Sequence, residues 1–226
     1  MKRILTVAAH PDDEILGCGA TMARHAAAGD DVCIAILGEG ATSRLGKRED
    51  AERAVLESLK FDARRAAAAV GAQEVRFLDF PDNRFDTVPL LEVVKVVEAL
   101  IAEFRPDIIY THHAGDLNVD HEITHRAVLT ATRPKPGQAV KEVLAFEVPS
   151  ATDWSFKGEG GFHPNVFMDV GATLAAKLRA LAEYRTEMCE FPHSRSLKAV
   201  EAAAVRWGSV AGCPAAEAFQ LIRGLR

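Results

Sequence analysis

Short runs of β-branched and other apolar residues alternate along the chain with longer Ala-rich stretches of helical pattern. That alternation is the sequence form of repeated βα units around a mainly parallel sheet. Strands are expected at 3 to 9, 31 to 38, 74 to 80, 107 to 113 and 142 to 148. Helices are expected between them, at about 15 to 28, 47 to 70, 88 to 104 and 121 to 132. A last helix pair is expected near 171 to 189 and 194 to 207, after an irregular stretch at 149 to 170 that is long enough to wall a pocket. Punctuation agrees: Gly29 and Gly71 fall where helix C-caps belong, and Pro106 closes the helix ending "EALIAEFR".

With 226 residues, 48% hydrophobic and 26% charged, the chain can bury one large core, so a single domain spanning 1 to 226 is expected. A formal net charge of −5 offers no general attraction to nucleic acid, whose phosphates demand a basic surface. The best basic cluster, Arg44, Lys47 and Arg48, reads as a solvated face that can still hold one anionic group on a small substrate. Cys18, Cys33, Cys189 and Cys213 lie too far apart for paired-thiol chemistry and are expected as small buried hydrophobes. The apolar part of "MKRILTVAAH" is too short for a secretory leader, and no run approaches a membrane span. A cytoplasmic chain with a small-molecule partner is the default, and a homo-oligomer is neither indicated nor excluded.

In open α/β sheets, ligands bind beyond the carboxyl ends of the strands. Three polar clusters fall there: "HPDDE" after the first strand, "GEGATSR" after the second and "HHAGDLNVDHEITH" after the fourth. The first crowds His10, Asp12, Asp13 and Glu14 onto one strand tip, where like charges repel unless something positive sits among them. A tight turn through Pro11 can aim His10 and Asp13 into one small volume, and imidazole with carboxylate suits a borderline cation such as Zn²⁺. "DLNVDHEITH" supplies a third ligand, with Asp120 expected at a helix N-cap, His121 in the first turn and His125 one turn further on the same face. Three protein ligands leave a position for water, and Asp12 is placed to act as its general base.

"AHPDDE" at the end of the first strand, taken with D-x-N-x-D-H-x-x-x-H at the end of the fourth, resembles the PIG-L/LmbE family of zinc-dependent N-deacetylases, which act on substrates containing N-acetylglucosamine. "FPDNRFD", "PHSRS" at 192 to 196 and "AEAF" at 216 to 219 extend the resemblance over nearly the whole chain. The resemblance implies one zinc per chain, or another divalent transition metal, held by His10, Asp13 and His121, with Asp12 as general base. In several members a histidine three residues before the helical ligand assists as acid or oxyanion donor. Asn118 stands there in this chain; its amide can donate a hydrogen bond but no proton, which passes the acid role to bound water, His113, Asp116 or His193. The expectation is a Rossmann-like α/β fold, a three-layer sandwich around a mainly parallel sheet, that removes an N-acetyl group from an amino sugar conjugate.

Around that centre, Arg44 and Arg84 are candidates for contacts to sugar hydroxyls or a phosphate, and Asp82 for accepting a hydroxyl. His193 and Arg195 occupy a break between helical patterns that the resemblance folds back over the site. Trp154, Phe156 and Phe162 either stack on a sugar face or pack under their loop. Asp120, His125, His113 and Asp116 are candidates for holding the ligands in place. Three other readings compete. Gly17 and Gly19 with Glu39 suggest dinucleotide binding, but Met22 stands at the third glycine position. A two-metal phosphoesterase would share the histidines and aspartates, yet its bridging carboxylate is hard to assemble here. A non-catalytic carbohydrate-binding protein would have no need of Asp12.

Overall fold

The computed structural model describes residues 1–40, 53–156 and 160–225. Its strands are β1 (Arg3–Ala8), β2 (Asp31–Gly38), β3 (Glu74–Phe80), β4 (Ile108–His112), β5 (Glu142–Phe146), β6 (Val166–Asp169) and β7 (Ala216–Gly224). Its helices are α1 (Asp13–Ala27), α2 (Arg53–Ala69), α3 (Leu90–Phe104), α4 (Val119–Ala131), α5 (Leu174–Leu181) and α6 (Leu197–Ala211), with a 3-10 turn at Phe85–Thr87.

Alternate residues of the central strands go to opposite faces, and this sorting makes the three layers. Ile4, Val32, Ile34, Ile36, Ile108 and Tyr110 face a layer formed by α1, α2, α5 and α6, where they meet Leu16, Met22, Ala63, Leu181 and Val200. Leu5, Cys33, Ala35, Leu37 and Ile109 face α3 and α4, where they meet Val93, Val97, Leu100 and Val128. Because both faces are covered, these strands read in the sequence as unbroken apolar runs. The result is the expected Rossmann-like α/β sandwich.

The sheet order is β3-β2-β1-β4-β5-β7-β6, parallel from β3 through β5. Strand order reverses where β1 meets β4, and the crevice beyond their carboxyl ends is the favoured place for a ligand. Gly29 and Gly71 follow α1 and α2 with φ of 80° and 76°, the left-handed residues expected at those caps.

Two strands went unforeseen. β6 lies inside the stretch expected to be irregular, and β7 occupies a tail for which no element was expected; both pair antiparallel. The helix expected at 171 to 189 is reduced to α5, followed by an irregular segment carrying Tyr184 and Glu187. The start of the helix expected from 47 lies outside the described residues. Cys18 and Cys33 are buried as expected, Cys189 and Cys213 are only half-buried, and all four are free. Gly17 and Gly19 are not in a phosphate-cradling loop but inside α1, where a Cβ on Gly17 would come within 2.2 Å of the Phe146 ring. Close helix–sheet packing therefore explains Gly17, and the dinucleotide reading falls.

α1 breaks at Cys18, which has φ −144° and ψ 24°. The break leaves backbone groups in the core, and a buried ion pair takes them up. Glu217 accepts the N–H groups of Ala20 and Thr21 at 3.1 and 2.6 Å, while Lys177 Nζ donates to Leu16 O at 2.7 Å and to Glu217 at 2.6 Å. Among the described residues no helix is long and apolar enough to cross a membrane.

Candidate metal centre

The tips of β1 and β4 lie side by side, and α4 begins shortly after β4. His10 Nδ1 stands 3.2 Å and His121 Nε2 3.1 Å from the same oxygen, Asp13 Oδ2. Ligands about 2.0–2.1 Å from a tetrahedral cation lie about 3.3–3.4 Å from each other, so these donors are spaced close to what one divalent ion needs. The opposite nitrogen of each ring is anchored. His10 Nε2 is 2.9 Å from Asp120 Oδ2 and 3.3 Å from Asp82 Oδ1, and His121 Nδ1 donates to Asp116 Oδ2 at 2.9 Å. Anchoring at Nδ1 turns the Nε2 lone pair of His121 toward the shared oxygen, where that atom is buried without a hydrogen-bond partner. Two imidazoles and a carboxylate around such an orphaned acceptor fit zinc.

Two further groupings, His112–Asp116–His121 and His10–Asp82–Asp120, also come close together. In both, the carboxylates meet the anchored nitrogens of the ligand rings. The three groupings are joined through His10 and His121 and so form one continuous cluster.

The charges follow from this packing. Burial works against a charged His10, but its hydrogen bonds to Asp120 and Asp13 hold its pKa well above the ordinary value. Burial also opposes charge on His121, yet Asp13 and Asp116 lift it to about 9. Burial would raise Asp13, but His121 and His10 hold its carboxyl well below the usual range. The cluster thus draws positive charge into itself, a demand that a divalent cation meets. Asp12 shifts the other way: burial and the neighbouring Asp13 raise it, and Arg195 offsets only part of that. Burial pushes Glu14 up to about 7 against its hydrogen bond from Tyr184.

These groups face a cleft of about 530 Å³, within the range of about 300–1,000 Å³ typical of small-molecule sites. His10, Asp12, Asp13 and His121 line it together with Asp82, Asn83, Asn118, Glu187 and Arg195. Arg195 Nη1 lies 3.2 Å from Asp12 Oδ2 and 4.0 Å from Glu187 Oε2. The family described as GlcNAc-PI de-N-acetylase, PIG-L, matches residues 5–132, a span that holds all three donors and Asp12.

The chain belongs to the PIG-L family. Membership places it among deacetylases, amide hydrolases that act on N-acetyl groups. This PIG-L chain is 29% identical to the deacetylase YaiS of Escherichia coli over 82% of its own length and 91% of the relative's. It is 27% identical to a probable N-acetyl-α-D-glucosaminyl L-malate deacetylase of Bacillus cereus, covering 91% and 94% of the two chains. Among solved structures, N,N′-diacetylchitobiose deacetylase of Pyrococcus horikoshii superposes with a TM-score of 0.78 at 16% identity, over 99% and 84% of the chains. The hydratase GalB of Pseudomonas putida does so with a TM-score of 0.77 at 21% identity, over 100% and 98%. At those identities the two structures speak for the PIG-L fold alone.

Several expected residues of the PIG-L site stand elsewhere than foreseen. Asn118, not Asp120, is the N-cap of α4, its Oδ1 accepting the Asp120 N–H at 2.9 Å while its Nδ2 donates to Asn83 Oδ1 at 2.8 Å. Both residue types cap well. Asp120 is fully buried instead, bridging His10 and the Phe85 N–H. His125 donates to the His112 carbonyl at 2.8 Å and bonds none of the three donors. His113 Nε2 is 3.1 Å from Gly160 O, with its ring edge against Phe162, and does not line the cleft. His193 does not line it either; its Nδ1 accepts the Arg195 N–H at 3.1 Å and its ring meets Trp154 edge-on. Arg84 is exposed and caps the 3-10 turn with its backbone. Phe156 is 89% exposed, and Arg44 lies outside the described residues. Three contributors were missed: His112, Tyr184 and Glu187. Only His112 had a local signal, since alternation along "IIYTH" puts it on the face of Ile108 and Tyr110, at the rim.

Proposed function

We propose that this protein is a zinc hydrolase that removes the N-acetyl group from an N-acetylglucosamine-type amino sugar conjugate. His10, Asp13 and His121 hold the metal, which is zinc or a similar divalent transition ion, one per chain. The observation that carries this reading is the convergence of His10 Nδ1 and His121 Nε2 on Asp13 Oδ2, with Asp12 beside them on the same cleft. When bound there, the ion supplies Lewis acidity toward an amide carbonyl and acidifies water.

The remaining chemistry belongs to the side chains. Asp12, steered through Oδ2 by Arg195, takes a proton from the attacking water as the new C–O bond forms. It returns that proton to the nitrogen as the C–N bond breaks, so acetate and a free amine leave. Asn118, engaged at both ends of its amide, is left to position rather than protonate. Asp82 and Asn83 line the cleft beside it and offer hydrogen bonds to sugar hydroxyls. The B. cereus relative, whose name specifies an N-acetyl-α-D-glucosaminyl L-malate, supports that substrate class.

The test is zinc content per chain for the native protein and for His121→Ala, alongside acetate release from N-acetylglucosamine conjugates. One zinc, lost in the variant, together with acetate release supports the reading. Two metals per chain would favour a phosphoesterase, and no metal after reconstitution would end the zinc mechanism.

A further inference from the structure

The third carboxylate of "HPDDE" touches neither the cleft nor the metal donors, yet it is fully buried. Its neighbour Asp12 has φ 103° and ψ −31°, a conformation that a residue with a Cβ rarely adopts and that must be held by its surroundings. Asp12 makes no side-chain capping bond to α1. Its carbonyl accepts the Ile15 and Leu16 N–H groups at 3.1 and 2.9 Å, and its own N–H donates to Glu14 Oε2 at 3.0 Å. The other oxygen of that carboxylate, Oε1, accepts the Tyr184 hydroxyl at 2.5 Å. Tyr184 is itself fully buried, in the segment after α5.

We infer that Glu14, seated on Tyr184, is a positioning residue for Asp12: it clamps the strained turn that sends adjacent carboxylates in different directions, Asp12 toward Arg195 and the cleft and Asp13 toward His10 and His121. The inference rests on Asp12 being the general base. A capping carboxylate with only a stabilising role would have no reason to act through Asp12. In a familiar capping box, the glutamate that reaches back to the N-cap N–H sits three residues on and faces water. Here it sits two residues on, inside the core, with both oxygens committed. The turn is thereby tied to an element 170 positions away.

The experiment compares Glu14→Ala, Glu14→Gln and Tyr184→Phe in the zinc-loaded protein, each with and without Asp12→Asn. Displacing a reacting group by about an ångström costs about a hundredfold in rate. Glu14→Ala should therefore lower kcat about that much in the zinc-loaded protein while KM holds. Glu14→Gln should restore most of the loss, since an amide oxygen can accept the Asp12 N–H while the amide NH₂ donates to Tyr184. Tyr184→Phe should fall between them, and it carries the test where Glu14→Ala does not fold. In the Asp12→Asn background, Glu14→Ala should cost little more, because a misplaced base cannot be lost twice. Amide hydrogen exchange at Asp12, read by NMR without any substrate, should accelerate in Glu14→Ala and stay slow in Glu14→Gln. Unchanged exchange, or an equal loss of kcat with and without Asp12, would overturn the clamp. If the native protein turns over no amino sugar conjugate, the functional reading fails, and the exchange measurement still decides whether Glu14 holds the turn.

Discussion

His112 stacks on His121 with ring centroids 3.9 Å apart, and its Nε2 accepts the Ala9 N–H at 2.8 Å. One ring thus backs His121, the helical candidate donor, and ties the tip of β4 to the tip of β1, next to His10. Burial and the nearby His121 hold its pKa well below the ordinary value, which keeps it neutral and the acceptor intact. Supports of this kind typically contribute about 10–100-fold to metal affinity. His112→Ala should lose about that much in a chelator-competition titration. His112→Phe, which keeps a ring face but offers no acceptor, should fall in between. Unchanged affinity in the alanine variant would remove His112 from the support of the site.

Asp12 should separate binding from turnover. General bases contribute about 10²–10⁴-fold to rate, so Asp12→Asn should lower acetate release by about that factor while zinc content stays at the native value. Arg195 acts on the same carboxylate. Its charge lowers the Asp12 pKa against burial and Asp13, so Arg195→Gln should raise that pKa and move the acidic limb of the kcat/KM profile to higher pH. A limb that moves down or stays fixed would show that Arg195 does not act through Asp12.

The strands β1, β2, β4 and β5 were legible because both of their faces are covered, which leaves continuous apolar runs in the sequence, whereas the half-exposed edge strand β3 was legible from Val75, Phe77, Leu78 and Phe80 set among charged residues. β6 escaped because it is a four-residue edge strand with half-exposed side chains, and β7 because it opens on "AEA", which reads as more of the Ala-rich helix before it. His10, Asp12 and Asp13 stood out because so much charge on a strand tip needs an explanation, and His121 because it opens a helix with a second histidine one turn on. Tyr184 and Glu187 had no local signature, since their meaning comes only from what the fold brings to them. The exchange of cap roles between Asn118 and Asp120 was beyond pattern reading for another reason. Either residue can cap a helix, and the choice is made by His10, which lies 110 positions away and needs a buried carboxylate.

His25 should make the fold acid-sensitive. It is buried, with Nδ1 donating to Asp30 at 2.8 Å and Nε2 accepting the Tyr110 hydroxyl at 3.0 Å, so the neutral ring already has both partners. Burial lowers its pKa below 6.5, against the pull of Asp30. The unfolded chain therefore binds a proton more readily than the folded one. The stability that comes from keeping His25 neutral is complete above about pH 6.5 and is lost as pH falls through the lowered folded value. Denaturant titrations at stepwise lower pH should show stability declining through that window, with a shallower slope in His25→Gln. An equal slope in both proteins would place the acid sensitivity elsewhere.

The ion pair that serves the break in α1 predicts a strong and non-additive stability effect. Lys177 and Glu217 are both buried, and each also bonds backbone groups freed at the break. Removing one partner of such a pair leaves an uncompensated buried charge, at a cost of about 3–5 kcal/mol. In a domain of this size Tm falls about 2–4 °C per kcal/mol, so Glu217→Ala should melt well below the native protein. Lys177→Met should also destabilise, through the charge left on Glu217, although that carboxylate keeps the Ala20 and Thr21 N–H groups. The double variant should be more stable than the sum of the two losses implies, because neither charge remains, yet less stable than the native protein, because the two N–H groups are orphaned. Strict additivity in chemical denaturation would show that the two residues act separately, and the break in α1 would then need another account.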